Sequence, residues 1–132
     1  MLAVAGFLLP SASSRAGGFA YADFRTASNL ILQCDATVFQ NRLRLTPAIM
    51  GERGGAWFET KQNVQDGFET TFQFQFTDKG GLGADGLAFV IQNHPIPRVG
   101  GGGGCIGFAG LTNALAVKFD PYHLERFVSS PY

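Results

Sequence analysis

The sequence carries little charge and no excess of either sign. Ten Lys and Arg balance ten Asp and Glu among 132 residues, and charged residues make up only 15% of the chain. A nucleic-acid or anionic-membrane partner requires a basic excess, so neither is expected. No segment approaches the roughly 20 apolar residues of a membrane-spanning helix, so membrane insertion is not expected either.

Cysteine is scarce as well. Cys34 and Cys105 are the only two, and they lack the CxxC spacing that zinc sites use. A disulfide between them and a pair of buried free thiols are both compatible with the sequence.

The N-terminal stretch MLAVAGFLLPSASSRAGG resembles the apolar core and small-residue end of a secretory signal. It lacks a basic start, and Pro10 shortens the apolar run. A signal-like segment over residues 1–18 of a secreted or extracellular protein is one interpretation. A first strand or a misplaced start codon is the other.

Phenylalanine is abundant, with thirteen Phe against one Trp and three Tyr in a chain of single-domain length. In GFETTFQFQFTD, Phe68, Phe72, Phe74 and Phe76 share one parity and polar residues hold the other, which predicts a strand with one apolar face. Shorter alternations occur in NLILQCDATV, RLRLTP and NALAVKFD. The run GLAFVIQ is apolar on both parities, which is typical of a central strand covered on both faces.

Glycine-rich turns separate these runs, and no window of helical length shows a 3.6-residue period. The pattern predicts an all-β chain, folded as an antiparallel sandwich or barrel.

The stretch VGGGGGCIGFAG fits GxGxxG literally at Gly102, Gly104 and Gly107. The dinucleotide fingerprint needs a strand just before it and a helix just after it. Here HPIPR precedes and a strand-like run follows, so nucleotide binding is not expected. A flexible surface loop and a loop whose bare amides approach a ligand both remain open.

No pattern for catalysis is present. No strand carries two carboxylates on one face, as a sandwich-fold glycosidase requires, and His94 and His123 fall in expected loops without a nucleophile beside them. The sequence predicts a protein that is not an enzyme.

The motifs LRLTP, GGAWFETKQNVQDGFETTFQFQF, GADGLAFVIQN and GGGGCIGFAGLTNALAVKFD occur in this order. They make residues 19–122 resemble the legume-type (L-type) lectin family, whose fold is an antiparallel β-sandwich of the concanavalin A-like jelly-roll type. The resemblance implies an incomplete sandwich, because residues 19–132 correspond to the N-terminal half of the family's domain. It also implies carbohydrate binding, with glycans or glycoproteins as partners; a homo-oligomer is compatible with the sequence.

The resemblance also implies a set of sugar-binding residues. Asp85, preceded by a cis Ala84–Asp85 peptide bond, would accept hydrogen bonds from sugar hydroxyls. Gly104 would donate its amide, and Tyr122 would offer its ring. From the residues alone, Asp85 can also be a turn acid beside Gly86 and Tyr122 an ordinary half-exposed ring.

In this family calcium and manganese hold the sugar site together. Asp120 matches an acid that bridges both ions, and Tyr122 matches the aromatic that gives calcium its carbonyl oxygen. Lys118 replaces a metal-binding Glu, and an ammonium repels a divalent cation. Leu124 and Val128 replace further polar ligands, so the cofactors that the resemblance implies are in doubt here.

Two alternatives to sugar binding follow. The chain could be a degenerate or truncated lectin-like domain that binds neither sugar nor metal, with Asp120 as a strand-end acid and Trp57 as core or rim packing. A sandwich-fold glycoside hydrolase is the weaker alternative, and it would require a carboxylate pair about 5–10 Å apart.

Overall fold

The fold is seen in a computed structural model, which describes residues 18–78, 84–95 and 97–122. The signal-like segment, apart from Gly18, lies outside these residues, as do His123, Leu124 and Val128. Six strands and one short 3₁₀ turn form the regular structure: β1 Leu30–Cys34, β2 Thr37–Phe39, β3 Arg42–Arg44, β4 Gly54–Phe58, β5 Leu87–Gln92, the turn Gly103–Cys105, and β6 Ala114–Phe119.

The strands form three antiparallel ladders of two strands each, β1 with β4, β2 with β3 and β5 with β6. The β5–β6 ladder runs from the pair Leu87 and Phe119 to the pair Gln92 and Ala114. The prediction of an all-β antiparallel fold with incomplete sheets is confirmed.

A cluster of phenylalanine rings covers part of the β5–β6 ladder. Phe72 stacks on Phe89 with ring centroids 5.6 Å apart, and Phe74 lies 4.8 Å from Phe119. Along residues 71–76 exposed polar residues alternate with half-buried rings, as the period of two predicts. The segment nevertheless belongs to no ladder within the described residues, because apolar alternation fixes which face packs but does not supply a partner strand.

Little of the described chain is fully enclosed. Phe24 and Leu43, at 3% and 7% exposure, are the only buried hydrophobic residues among those described. An open concavity of about 1980 Å³ is lined by residues of β1, β4 and β5 and by rings such as Phe72 and Phe74. This space is larger than an ordinary ligand pocket of roughly 300–1,000 Å³, and Asp85 and Gly103 are among the residues that line it.

Strands β5 and β6 are both more exposed than their sequence patterns predict. All six residues of β5 are half-exposed, although its apolar run predicts cover on both faces. On β6, Leu115 and Val117 are 64% and 51% exposed, although their parity predicts burial beside Phe119. The ring cluster reaches Phe89 and Phe119 and stops short of the far end of the ladder.

Two further expectations hold only in part. In GERGG, which has the composition of a turn, Gly51 does lie in a turn with φ +84°. Gly54 and Gly55, however, begin β4, where added Cβ atoms would collide with the Leu45 carbonyl and the Val99 side chain. Glycine serves close backbone approach here and not a bend. Cys34 and Cys105 are free thiols, but both are exposed and not buried.

No helix among the described residues is long and apolar enough to cross a membrane.

Replacing Phe72 by alanine should lower the free energy of unfolding by about 2 kcal/mol, since this half-buried ring contacts Phe74, Phe89 and Phe119. The matched control is Phe68→Ala on the same segment, where the ring is 51% exposed and the change should stay within about 0.5 kcal/mol. Denaturant unfolding of both variants measures the difference. Equal losses would mean that the ring cluster does not hold the ladder.

Candidate functional site

Because Gly86 has no side chain, residues 84–86 can pack directly against the end of β6. A Cβ on Gly86 would collide with the Phe119 carbonyl oxygen and would lie 2.9 Å from Ile106 Cδ1 and 3.3 Å from Asp120 Cα. Gly86 also has φ +150°, which side-chain-bearing residues rarely adopt. Glycine at this position therefore sets Asp85 beside both the end of β6 and the loop that carries Ile106.

The glycine loop (residues 99–110) is closed by its own backbone. Gly101 donates to the Ala109 carbonyl at 3.0 Å, and Gly107 donates to the Gly101 carbonyl at 2.8 Å. The turn Gly103–Cys105 follows an extended Gly102 and ends at Ile106 in the left-handed conformation. No strand leads into the loop and only a 3₁₀ turn lies within it, so the context that a dinucleotide fingerprint needs is absent from these residues.

Asp85 faces this loop. The position that a Cβ of Gly103 would take lies 3.9 Å from Asp85 Oδ2, and nothing lies within 4 Å of the equivalent position on Gly104. The peptide bond between Ala84 and Asp85 is cis, as the resemblance implies. The structure thus places a carboxylate at the mouth of a loop of bare glycines.

The polar groups at this mouth have unused hydrogen-bonding capacity. Within the described residues, the Asp85 carboxylate accepts no hydrogen bond and forms no ion pair. The amides of Gly103 and Gly104 are likewise without an acceptor in the same part of the chain, whereas those of Gly100, Gly101 and residues 105–109 all donate. One carboxylate and two amides of the adjoining loop are therefore without a hydrogen-bond partner among the described residues.

Asp120, the residue that follows β6, forms an ion pair with Lys118. Lys118 Nζ lies 2.7 Å from Asp120 Oδ2, and the Asp120 side chain is only 14% exposed. Both residues belong to one face at the end of β6, as their parity predicts. Lys118 pairs across the ladder with Ala88, three residues after Asp85.

The family model for the legume lectin domain matches residues 16–127. The chain belongs to the legume lectin domain family. Lectin-like carbohydrate binding is therefore the general function that the family supports for this chain.

Individual relatives agree with this assignment. Protein ERGIC-53 of Homo sapiens is 30% identical over 92 residues, which are 69% of this chain and 17% of that protein. Protein ERGIC-53 of Rattus norvegicus is 29% identical over 92 residues, with the same shares. The match thus spans about a sixth of the length of these relatives. No solved structure matches the chain.

The residues present do not fit the calcium and manganese ions of legume lectins. Lys118 forms an ion pair with Asp120, the one acid that the structure describes among the residues that the resemblance assigns to the metal ions. A divalent cation about 4 Å from this ammonium would meet a repulsion of roughly 8 kcal/mol at an effective dielectric constant near 20. No group of three His, Cys, Asp or Glu side chains that could hold a metal occurs in the described residues. Leu124 and Val128, the other two departures from the lectin pattern, lie outside those residues.

The structure also describes three other residues that the sequence analysis discussed, namely Tyr122, Gly104 and Trp57. Tyr122 is half-buried and does not line the concavity that Asp85 borders, and Gly104 does not line it either. Trp57 pairs with Ile31 in the β1–β4 ladder, and its indole Nε1 is buried with no hydrogen-bond partner among the described residues. Gly103 was not predicted from the sequence, because a run of five glycines gives no signal for which of them lies nearest the acid.

One carboxyl pair, Glu52 and Asp35, lies beside Arg53, whose Cδ would be 3.6 Å from a Cβ on Gly102 of the glycine loop. Glu52 hydrogen-bonds Asp35, and that bond, more than desolvation or the neighbouring charge, raises the pKa of Glu52. Asp35 also accepts the Arg53 amide at 2.9 Å.

Replacing Gly86 by alanine should lower the free energy of unfolding by about 2–3 kcal/mol, because the new methyl group meets the Phe119 carbonyl and the Asp120 backbone. The control is Gly104→Ala, where the methyl group enters open space and the change should stay within about 0.5 kcal/mol. Denaturant unfolding compares the two. A Gly86→Ala variant as stable as the control would contradict the packing of Gly86 on β6.

Proposed function

We propose that this chain binds a neutral sugar through Asp85 and the glycine loop. The carboxylate accepts hydrogen bonds from sugar hydroxyls, and the amides of Gly103 and Gly104 donate to a sugar oxygen. The single observation that supports this is the approach of Asp85 Oδ2 to the backbone at Gly103, where neither the carboxylate nor the Gly103 N–H has a hydrogen-bond partner among the described residues.

The chemistry suits a neutral polyol. A sugar hydroxyl both donates and accepts, so one hydroxyl can donate to the carboxylate while another accepts from an amide. Hydrogen bonds to a charged group contribute about 1.5–3 kcal/mol each, which makes Asp85 the main anchor. A site of so few contacts binds weakly on its own, and several copies presented together would bind glycoproteins by avidity.

The proposal includes no catalytic step, and it retains the secreted or extracellular location that the signal-like segment 1–18 suggests. Tyr122 as a sugar-facing ring belongs to the proposal as well, resting on its position two residues after Asp120.

A lectin-like domain that binds no sugar is the second candidate. Two observations favour it: Phe24 and Leu43 alone are buried among the described residues, and Lys118 takes the acid that legume lectins give to metal ions. The two candidates differ in whether Asp85 binds a sugar.

The substitution Asp85→Asn should weaken binding to a glycan panel roughly 10- to 100-fold, because it removes the charge and presents an amide in its place. The matched control is Asp66→Asn, which removes the same charge from an exposed loop position. Both variants should keep the thermal midpoint of the unmodified chain.

Glycan-array fluorescence, followed by calorimetry with the best hit, measures the affinities. Equal binding by Asp85→Asn and the unmodified chain would refute the site. A folded chain that binds nothing on the panel would favour the second candidate.

A further inference from the structure

The ion pair between Lys118 and Asp120 lies where legume lectins place metal ions. Lys118 Nζ is 2.7 Å from Asp120 Oδ2, with side-chain exposures of 37% for the lysine and 14% for the aspartate. The acid is therefore mostly out of water, and the lysine still reaches solvent.

A carboxylate that is mostly removed from water, as that of Asp120 is, requires a positive charge beside it. Removing a charge from water is costly unless an opposite charge or hydrogen bonds replace the solvent. Calcium can do this only with six to eight oxygen ligands, whereas an ammonium needs no set of further acids. Lys118 provides the compensating charge from within the chain.

The pair is also placed to support the sugar site. Asp120 follows β6 directly, and its Cα would lie 3.3 Å from a Cβ on Gly86, the residue after Asp85. Lys118 lies opposite Ala88 on β5. Fixing the Asp120 side chain to Lys118 therefore fixes the strand end on which the Asp85–Gly86 segment rests.

We infer that the Lys118 ammonium takes over the charge-compensating and positioning role of the divalent cations, so that the site at Asp85 is held without metal. The stability part of this inference stands on the ion pair alone, and the binding part rests on the proposed function. Lys118 is a positioning residue and touches no sugar.

Thermal unfolding of the full chain, in millimolar calcium plus manganese and again in chelator, tests the inference. The midpoint should agree between the two buffers to within about 1 °C. A metal bound a hundredfold above its dissociation constant would raise the midpoint by roughly 10 °C in a domain of this length. A rise of that order in the unmodified chain would overturn the inference.

Substitutions of the lysine separate charge from packing. Lys118→Met keeps a long side chain without charge and should lower the midpoint by several degrees in chelator, whereas Lys118→Arg should restore it. The matched control is Lys61→Met, which loses an exposed lysine that bonds Asn93 at 2.9 Å and should leave the midpoint unchanged. If Lys118→Met melts with the unmodified chain, the positioning role is refuted.

Glycan binding in the same two buffers completes the test. Equal binding in metal and in chelator supports the inference, and binding lost only in chelator overturns it while the proposed function stands. If no sugar binds in either buffer, the proposed function fails, and the midpoints of Lys118→Met and Lys118→Arg still decide the role of Lys118.

Discussion

The contact of Gly86 with the end of β6 is the constraint on which the rest of the site depends. Because residue 86 has no side chain, the Phe119 carbonyl and the Asp120 backbone can lie directly against it. That contact joins three segments that are distant in sequence: residues 84–86, the glycine loop through Ile106, and the Lys118–Asp120 pair. A carboxylate, two bare amides and a compensated charge then lie within one small region.

This region lies on strands that are only partly covered by other described residues. Two ladders and a row of phenylalanine rings surround a large concavity, and the far ends of β5 and β6 lack cover among the described residues. The ring contacts of Phe72 and Phe74 fall on Phe89 and Phe119, at the end of the ladder nearest Asp85. The better packed end of the ladder is therefore the one that carries the site.

Sequence patterns predicted the parts of this structure that depend on side-chain alternation. The antiparallel β fold, the positions of β1, β3 and β6, and the shared face of Lys118 and Asp120 all follow from a period of two. The position of β5 follows instead from a short run that is apolar on both parities. Pairing could not be predicted in the same way. The rings of residues 68–76 look like the clearest strand, yet a ladder also needs a partner backbone, which alternation does not encode.

Glycine was the other source of error, since one residue type serves opposite purposes. Gly54 and Gly55 resemble part of a turn and instead allow close approach inside β4. The run of five glycines gave no signal that Gly103 lies nearest Asp85. The resemblance correctly predicted the cis peptide bond before Asp85, and the sugar site at Asp85 stays a prediction. The exposure of Cys34 and Cys105 depends on tertiary packing and has no local signal.

The most direct measurement of the central claim is a sugar titration followed by backbone amide NMR, carried out in chelator on the full chain. The account predicts saturable shifts of the Gly103 and Gly104 amides and of residues 84–86, with little change along β1 and β4. Shifts confined to other surfaces, or none with any sugar that the chain binds, would contradict the site at Asp85.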